Sequence, residues 1–246
     1  MDRLLYVAMS GAKQTLVSQA ANSHNLANLH TAGFRADLNQ FRSMPVFGEG
    51  LPTRVYAMSE RPGIDFTAGP IESTGRELDV AIRGDGWIAV QAPDGEEAYT
   101  RAGDLRVSSH GLLETGAGHP ILGNAGPIAI PPAEKIEIGH DGTISVRPLG
   151  LPSDSLAEID RIKLVNPAPE LMVKDLDGLF RLEGPAGAIA DAGVTLVPGV
   201  LERSNVNAID AMVNMITLAR RFEMQVKMMH AAEETDRSAA SILQLS

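Results

Sequence analysis

Apolar and polar residues follow one pattern at the two ends of the chain and another in its middle. Near the start, Leu5, Ala8, Ala12, Thr15, Gln19, Asn22, Leu26 and Leu29 recur at alternating intervals of three and four. That spacing places them along one face of a helix, and Met9 and Leu16 widen the face. Thr15, Gln19 and Asn22 interrupt it with polar groups, so such a helix is marginal in isolation. Gly33 suits the left-handed position that closes a helix, where Phe34 would pack back on Leu29.

The last part of the chain repeats the pattern with a stronger apolar face. Asn207 followed by Asp210 reads as an N-cap with an acid in the first turn. Met212, Met215, Ala219, Phe222, Val226 and Met229 then keep the three-four interval, with Ile209, Val213 and Ile216 beside them. Past Met229 the stripe meets Glu233 and Asp236, and it resumes at Ala240 and Leu243. Met212, Met215, Met224, Met228 and Met229 are half of the 10 methionines. The stripe reads either as a core helix of a soluble bundle or as a surface meeting several neighbours, since methionine fits irregular contacts.

Between the ends the pattern shortens to strand-like runs. Val80-Ala81-Ile82 and Trp87-Ile88-Ala89-Val90 flank Gly84-Asp85-Gly86 and predict a hairpin. Further strands are expected at 105–107, 112–114, 136–138, 143–146, 159–165, 179–182 and 194–197, separated by Asp-Gly, Pro-Pro, Asn-Pro and Gly-Pro turn signals. Residues 1–32 hold one glycine, Gly11, and no proline, and residues 200–246 hold neither. Turn-formers are thus confined to the middle. The fold class expected from the pattern is α+β: helices at the two termini and a mainly antiparallel β central domain, a sandwich or a partly closed barrel. Strands alternating with helices of crossover length are missing, which argues against a doubly wound sheet.

Composition narrows the chemistry. Among 246 residues, 31 are acidic and 21 basic, a formal charge of -10 that repels phosphate backbones and argues against nucleic acid as partner. There are no cysteines, so disulfides, thiolate metal sites and a cysteine nucleophile are excluded. The start of the chain has no signal-peptide pattern, because Lys13 and Gln14 break its apolar run. The longest uncharged stretch, 115–133, carries four prolines and cannot form a membrane helix. The histidines (His24, His30, His110, His119, His140 and His230) form no helical ligand pair. Asp85-Gly86, Asp94-Gly95, Asp141-Gly142 and Asp177-Gly178 lack the further acids of a calcium loop and read as tight turns. Glu96-Glu97 and Glu233-Glu234 read as solvated surface. No nucleophile elbow, phosphate loop or dinucleotide fingerprint is present. No enzymatic activity, cofactor or metal is therefore expected.

Four segments resemble the flagellar rod and hook family. They are Ala21-Asn22-Ser23-His24-Asn25-Leu26-Ala27-Asn28 continuing through Thr31-Ala32-Gly33-Phe34-Arg35; Glu77-Leu78-Asp79-Val80-Ala81-Ile82-Arg83-Gly84-Asp85-Gly86-Trp87; Ala98-Tyr99-Thr100-Arg101-Ala102-Gly103-Asp104 with Pro120-Ile121-Leu122-Gly123; and Leu201-Glu202-Arg203-Ser204-Asn205-Val206-Asn207 with Met212-Val213-Asn214-Met215-Ile216. The start Met1-Asp2-Arg3-Leu4-Leu5-Tyr6 and the block Gly50-Leu51-Pro52-Thr53-Arg54-Val55 look most like the proximal-rod branch. A distal-rod or hook-type subunit is the nearest alternative. A soluble oligomeric binding module, or a β-domain enzyme with a private helical hairpin, is the alternative from another class.

The resemblance implies a structural subunit that assembles helically and transmits torque from rotor to hook. Residues 1–34 with 203–246 would form the terminal helical rod-core domain as an antiparallel coiled-coil pair, 35–77 an extended linker and 78–202 the outer β domain. Leu5, Ala8, Ala12, Leu16, Leu26, Leu29, Met212, Met215, Ala219, Phe222, Val226 and Met229 would form the subunit interface. The implied partners are proximal and distal rod proteins, copies of the same chain and the flagellar type III export apparatus, which would place the chain in the periplasmic rod without a cleavable signal. The resemblance also implies ends that order only on assembly. The weak first seam agrees, since it cannot offset ordering entropy alone.

Overall fold

The computed structural model describes residues 4–39, 41–45, 55–59, 63–148, 156–175, 177–182, 184 and 187–244. They fall into two compact units, one drawn from 1–29, 36–65 and 206–246, the other from 30–35 and 66–205.

The first unit is built on two helices, α1 (Leu4–Ala27) and α2 (Ala208–Gln244). At 24 and 37 residues they run roughly 36 and 55 Å. They pair antiparallel: Gly11 lies against Gln225, Gln19 meets Met215, and Asn22 Nδ2 donates to the Ala211 carbonyl at 2.7 Å. The start of α2 is capped as the sequence predicts, Asn207 Oδ1 accepting from the amides of Ile209 at 3.0 Å and Asp210 at 3.4 Å.

The end of α1 differs from expectation. The helix stops at Ala27, where Asn28 Nδ2 donates back to the His24 carbonyl at 2.9 Å. Gly33 does adopt a left-handed φ of 65°, but its amide donates to the Glu202 carbonyl and not to a helix carbonyl. The glycine is needed for close approach: a Cβ there would collide with the backbone of Arg101.

Strand β1 (Asp37–Leu38) pairs with β4 (Gly63–Ile64), and β2 (Phe41–Pro45) with β3 (Val55–Ser59). The Asn25 carboxamide tethers β1 to α1 by accepting from the Asp37 amide at 2.8 Å and donating to its carbonyl at 2.9 Å. His24 Nδ1 adds a contact to Asp37 Oδ2 at 2.8 Å. The described part of 36–65 thus belongs with the helices.

The second unit holds the remaining strands: β5 (Ile71–Ser73), β6 (Val80–Arg83), β7 (Trp87–Gln91), β8 (Glu97–Thr100), β9 (Leu105–Val107), β10 (Leu113–Thr115), β11 (Ala133–Ile138), β12 (Thr143–Pro148), β13 (Ala157–Arg161), β14 (Leu164–Val165), β15 (Met172–Lys174), β16 (Phe180–Leu182), β17 (Thr195–Pro198) and β18 (Val200–Glu202). A five-stranded sheet runs β14-β7-β8-β16-β15 and a three-stranded one β11-β12-β13, with pairs β9-β10, β6-β17 and β5-β18. Every pairing is antiparallel.

The hairpin predicted across Gly84-Asp85-Gly86 does not form. β6 pairs with β17 and β7 with β8 and β14, so the turn moves the chain between sheets. Both strands are buried almost without alternation, as strands covered on both faces are. The run 159–165 likewise splits between β13 and β14, the first pairing with β12 and the second with β7. A single aliphatic core, including Val80, Ile88, Leu105, Leu113, Ile121, Ile144 and Leu196, lies between the sheets. At its edge Trp87 meets Phe180 with ring centroids 4.5 Å apart, and Phe66 stands edge-on to the indole at 6.2 Å.

Candidate assembly surface

The helix pair presents two apolar stripes with different uses. The α2 stripe turned to α1 comprises Ala211, Met215, Leu218, Phe222, Gln225, Met229 and Ala232, alternating four and three apart and all at least half-buried. On α1 the buried positions are Ala8, Ala12, Thr15 and Ser18. Small side chains there let the helices approach closely, to the point that a Cβ on Gly11 would stand 2.6 Å from Gln225 Oε1. The closeness has a cost. Gln14 Oε1, Ser18 Oγ and Gln225 Oε1 are buried without a hydrogen-bond partner in the protein, at about 1–3 kcal/mol each.

The second stripe faces outward. Ile209, Met212, Val213 and Ile216 share one face of α2 and are 53–72 % exposed, and Met224 and Met228 follow along the helix. On α1, Leu4, Leu5, Tyr6, Met9, Leu16 and Val17 are exposed as well. So many large apolar groups on one helix pair exceed the scatter of single hydrophobics found on a monomer surface. Burying the exposed part of each is worth about 1 kcal/mol.

Of the residues read from the sequence as interface, Ala8 and Ala12 are buried in the pair. Leu26, Leu29, Met215, Ala219, Phe222, Val226 and Met229 are half-buried, and Leu5, Leu16 and Met212 are exposed. Tyr6, Val17, Met224 and Met228 are exposed apolar positions that the three-four reading left out. The signal was present in the α2 residues themselves, since Ile209, Met212, Val213 and Ile216 form a second three-four series beside the first.

A separate charged cluster pins the β unit. Glu202 Oε1 sits 2.7 Å from Arg35 Nη2 and accepts from the Gly69 amide at 2.9 Å, and Glu202 Oε2 accepts from Arg101 Nη1 at 3.1 Å. All three charged side chains are buried. Arg101 also donates to the Gly84 carbonyl at 2.8 Å and lies over the Trp87 ring at 5.5 Å. Burial lowers its pKa, while Glu202 acts in the opposite sense. Lys174 Nζ donates to the Arg35 carbonyl at 2.8 Å and caps the Phe34 ring at 3.9 Å. Gly33, Phe34 and Arg35, Gly84, Arg101 and Glu202 come from four separate sequence blocks and meet at this one point.

Elsewhere in the β unit, Lys163 Nζ bonds both oxygens of Glu97 at 2.8 Å, and Tyr99 donates to Glu97 at 3.0 Å while accepting from the Ala188 amide. Burial pushes the Tyr99 phenol up to about 12, which keeps it protonated and makes the group a loop clasp and no base. Among the described residues no set of three or more His, Asp or Glu side chains is disposed to hold a metal, and no helix is long and apolar enough to cross a membrane.

Two family models match the chain. Residues 197–242 match the C-terminal region of the flagellar basal body rod FlgEFG proteins, and residues 81–146 match the D1 domain of the flagellar hook protein FlgE/F/G group. The flagellar basal-body rod protein FlgF of Escherichia coli (strain K12) is 45 % identical over 252 residues, with 100 % of both chains covered. That of Salmonella typhimurium (strain LT2) matches at the same identity and coverage. The flagellar basal-body rod protein FlgG of Agrobacterium fabrum is 31 % identical over 259 residues, covering 94 % of this chain and 96 % of its own. End-to-end similarity at this level places the chain in the FlgF family of flagellar basal-body rod proteins.

Proposed function

We propose that this chain is a structural subunit of the flagellar basal-body rod, assembling helically through its paired terminal helices and helping to transmit torque from rotor to hook. The observation that carries the reading is the outward stripe of Ile209, Met212, Val213 and Ile216, over half exposed on a helix whose other face is already paired. A stripe of that kind needs neighbours, and the full-length relatives are rod proteins. The helical unit would line the rod and the β unit would stand outside it. Leu5, Leu16 and Met212 would meet other subunits directly, while Ala8, Ala12 and Met215 would act by shaping the pair. The neighbours would be proximal and distal rod proteins and further copies of the chain, delivered to the periplasmic rod by the flagellar type III export apparatus.

The test is Ile216→Asp in cells lacking the native gene copy. Swimming should be lost and the chain should be missing from purified basal bodies, while the purified variant keeps its Trp87 fluorescence. Normal incorporation and motility would overturn the proposal.

A further inference from the structure

The helical unit carries a groove of mixed character, about 340 Å³, whose lining includes Ser18, Asp37, Leu38, Asn214, Leu218 and Arg221. Its chemistry is unlike the outward apolar stripe. Ser18 is only 6 % exposed, and its hydroxyl has no hydrogen-bond partner in the protein. Asp37 is engaged by His24. Arg221 is exposed and has no carboxylate within ion-pair distance among the described residues. The groove thus offers the Arg221 cation and the Asn214 carboxamide, beside the buried Ser18 hydroxyl, to a ligand bearing a carboxylate.

The same helix presents the complement. Past the apolar stripe, α2 turns acidic at Glu233, Glu234 and Asp236. Glu233 is paired with Arg237 at 2.6 Å, whereas Glu234 is exposed and, like Asp236, has no ion pair among the described residues. Glu234 lies 13 residues beyond Arg221 on one continuous helix, a separation of roughly 20 Å. A chain cannot fill its own groove.

We infer that the Arg221 groove receives the acidic turn of α2 around Glu234 from a second copy of this chain. This rests on the assembly reading above and adds a polar, register-setting contact to its apolar one. The contact joins different surfaces on the two copies. Repetition of such a head-to-tail interface gives a ring where its rotation closes and an open helical array where it does not, and the assembly reading requires the second. Charge pairs of this kind fix register and reject misaligned neighbours more than they add affinity.

The experiment uses Arg221→Glu, Glu234→Arg and the two combined, each scored by the amount of the chain in purified basal bodies. Each single change should lower incorporation about tenfold, because the like-charge contact it creates opposes docking. The combined variant should recover most of the loss, since the pair is restored with its polarity exchanged. Singles that incorporate like the parent would overturn the inference. So would a defect in Arg221→Glu that Glu234→Arg neither shares nor repairs, which would assign the groove to an acidic segment of another protein. Presence of the parent chain in basal bodies is read in the same preparation. Its absence would sink the rod reading itself, whereas its presence without rescue would sink only the Arg221–Glu234 contact.

Discussion

Glu202 and Arg35 stand 2.7 Å apart with 1 % of each side chain exposed. They are 167 positions apart, and few charges among the described residues are fully buried. Removing one member of such a pair strands the others in a medium that cannot solvate them. Arg101 would then lose the carboxylate that offsets its burial, and the Gly69 amide its acceptor. Glu202→Ala is therefore expected to cost the β unit about 3–5 kcal/mol. The single tryptophan, Trp87, lies beneath Arg101, so its fluorescence in a urea titration reads this loss directly.

Gly33 tests the same region by sterics alone. At a φ of 65° with the Arg101 backbone against its α-carbon, an alanine would suffer both a left-handed backbone and a collision. Gly33→Ala should destabilise the β unit by at least about 2 kcal/mol, more than the left-handed penalty of roughly 1–2 kcal/mol that applies where there is space. Gly75, also at positive φ but with nothing nearby, supplies the control: Gly75→Ala should cost only that smaller amount. Equal losses at the two sites would show that close approach to Arg101 is unimportant.

The buried Gln225 side chain opposes pairing of the helices, because its Oε1 has lost water without gaining a donor. Gln225→Met keeps the length and removes the orphan oxygen. It should strengthen the isolated helix pair by about 1–2 kcal/mol, read as a higher melting temperature of the 222 nm circular dichroism signal. A lower one would mean that the carboxamide is satisfied in solution.

Burial raises the Asp104 carboxyl above its ordinary value, opposed by the amides of Asp104 itself and of Gly116. The folded state therefore holds this proton more tightly than the unfolded chain does. Its contribution to stability is complete below the ordinary aspartate pKa of about 4 and is lost as pH rises through the higher folded value. At neutral pH Asp104→Asn should unfold at a higher temperature than the parent, and the gap should shrink as pH falls toward about 4. A gap of constant size across that range would assign the effect to packing.

The terminal helices were legible because their signals are local. Three-four spacing from Leu5 to Leu29 and from Met212 to Met229, with Asn207 as a cap, fixes helices whatever they pack against. The class of the middle was legible for the same reason, since turn residues and short apolar runs act over a few positions. The tertiary structure decided which surfaces those elements share. β6 and β7 look like a hairpin across Gly84-Asp85-Gly86, yet each takes partners from distant strands. Gly33 looks like a helix cap, yet it serves the close approach of Arg101. On α2 the three-four reading runs through Met212, Ala219 and Val226, whereas pairing with α1 buries Ala211, Leu218 and Ala232 and leaves Ile209, Met212 and Ile216 facing outward. Periodicity within one segment fixes its conformation, because the hydrogen bonds concerned are only a few residues apart. Which face is buried, and which charges meet at Glu202, depends on contacts between residues 101 to 196 positions apart, and no local pattern encodes them.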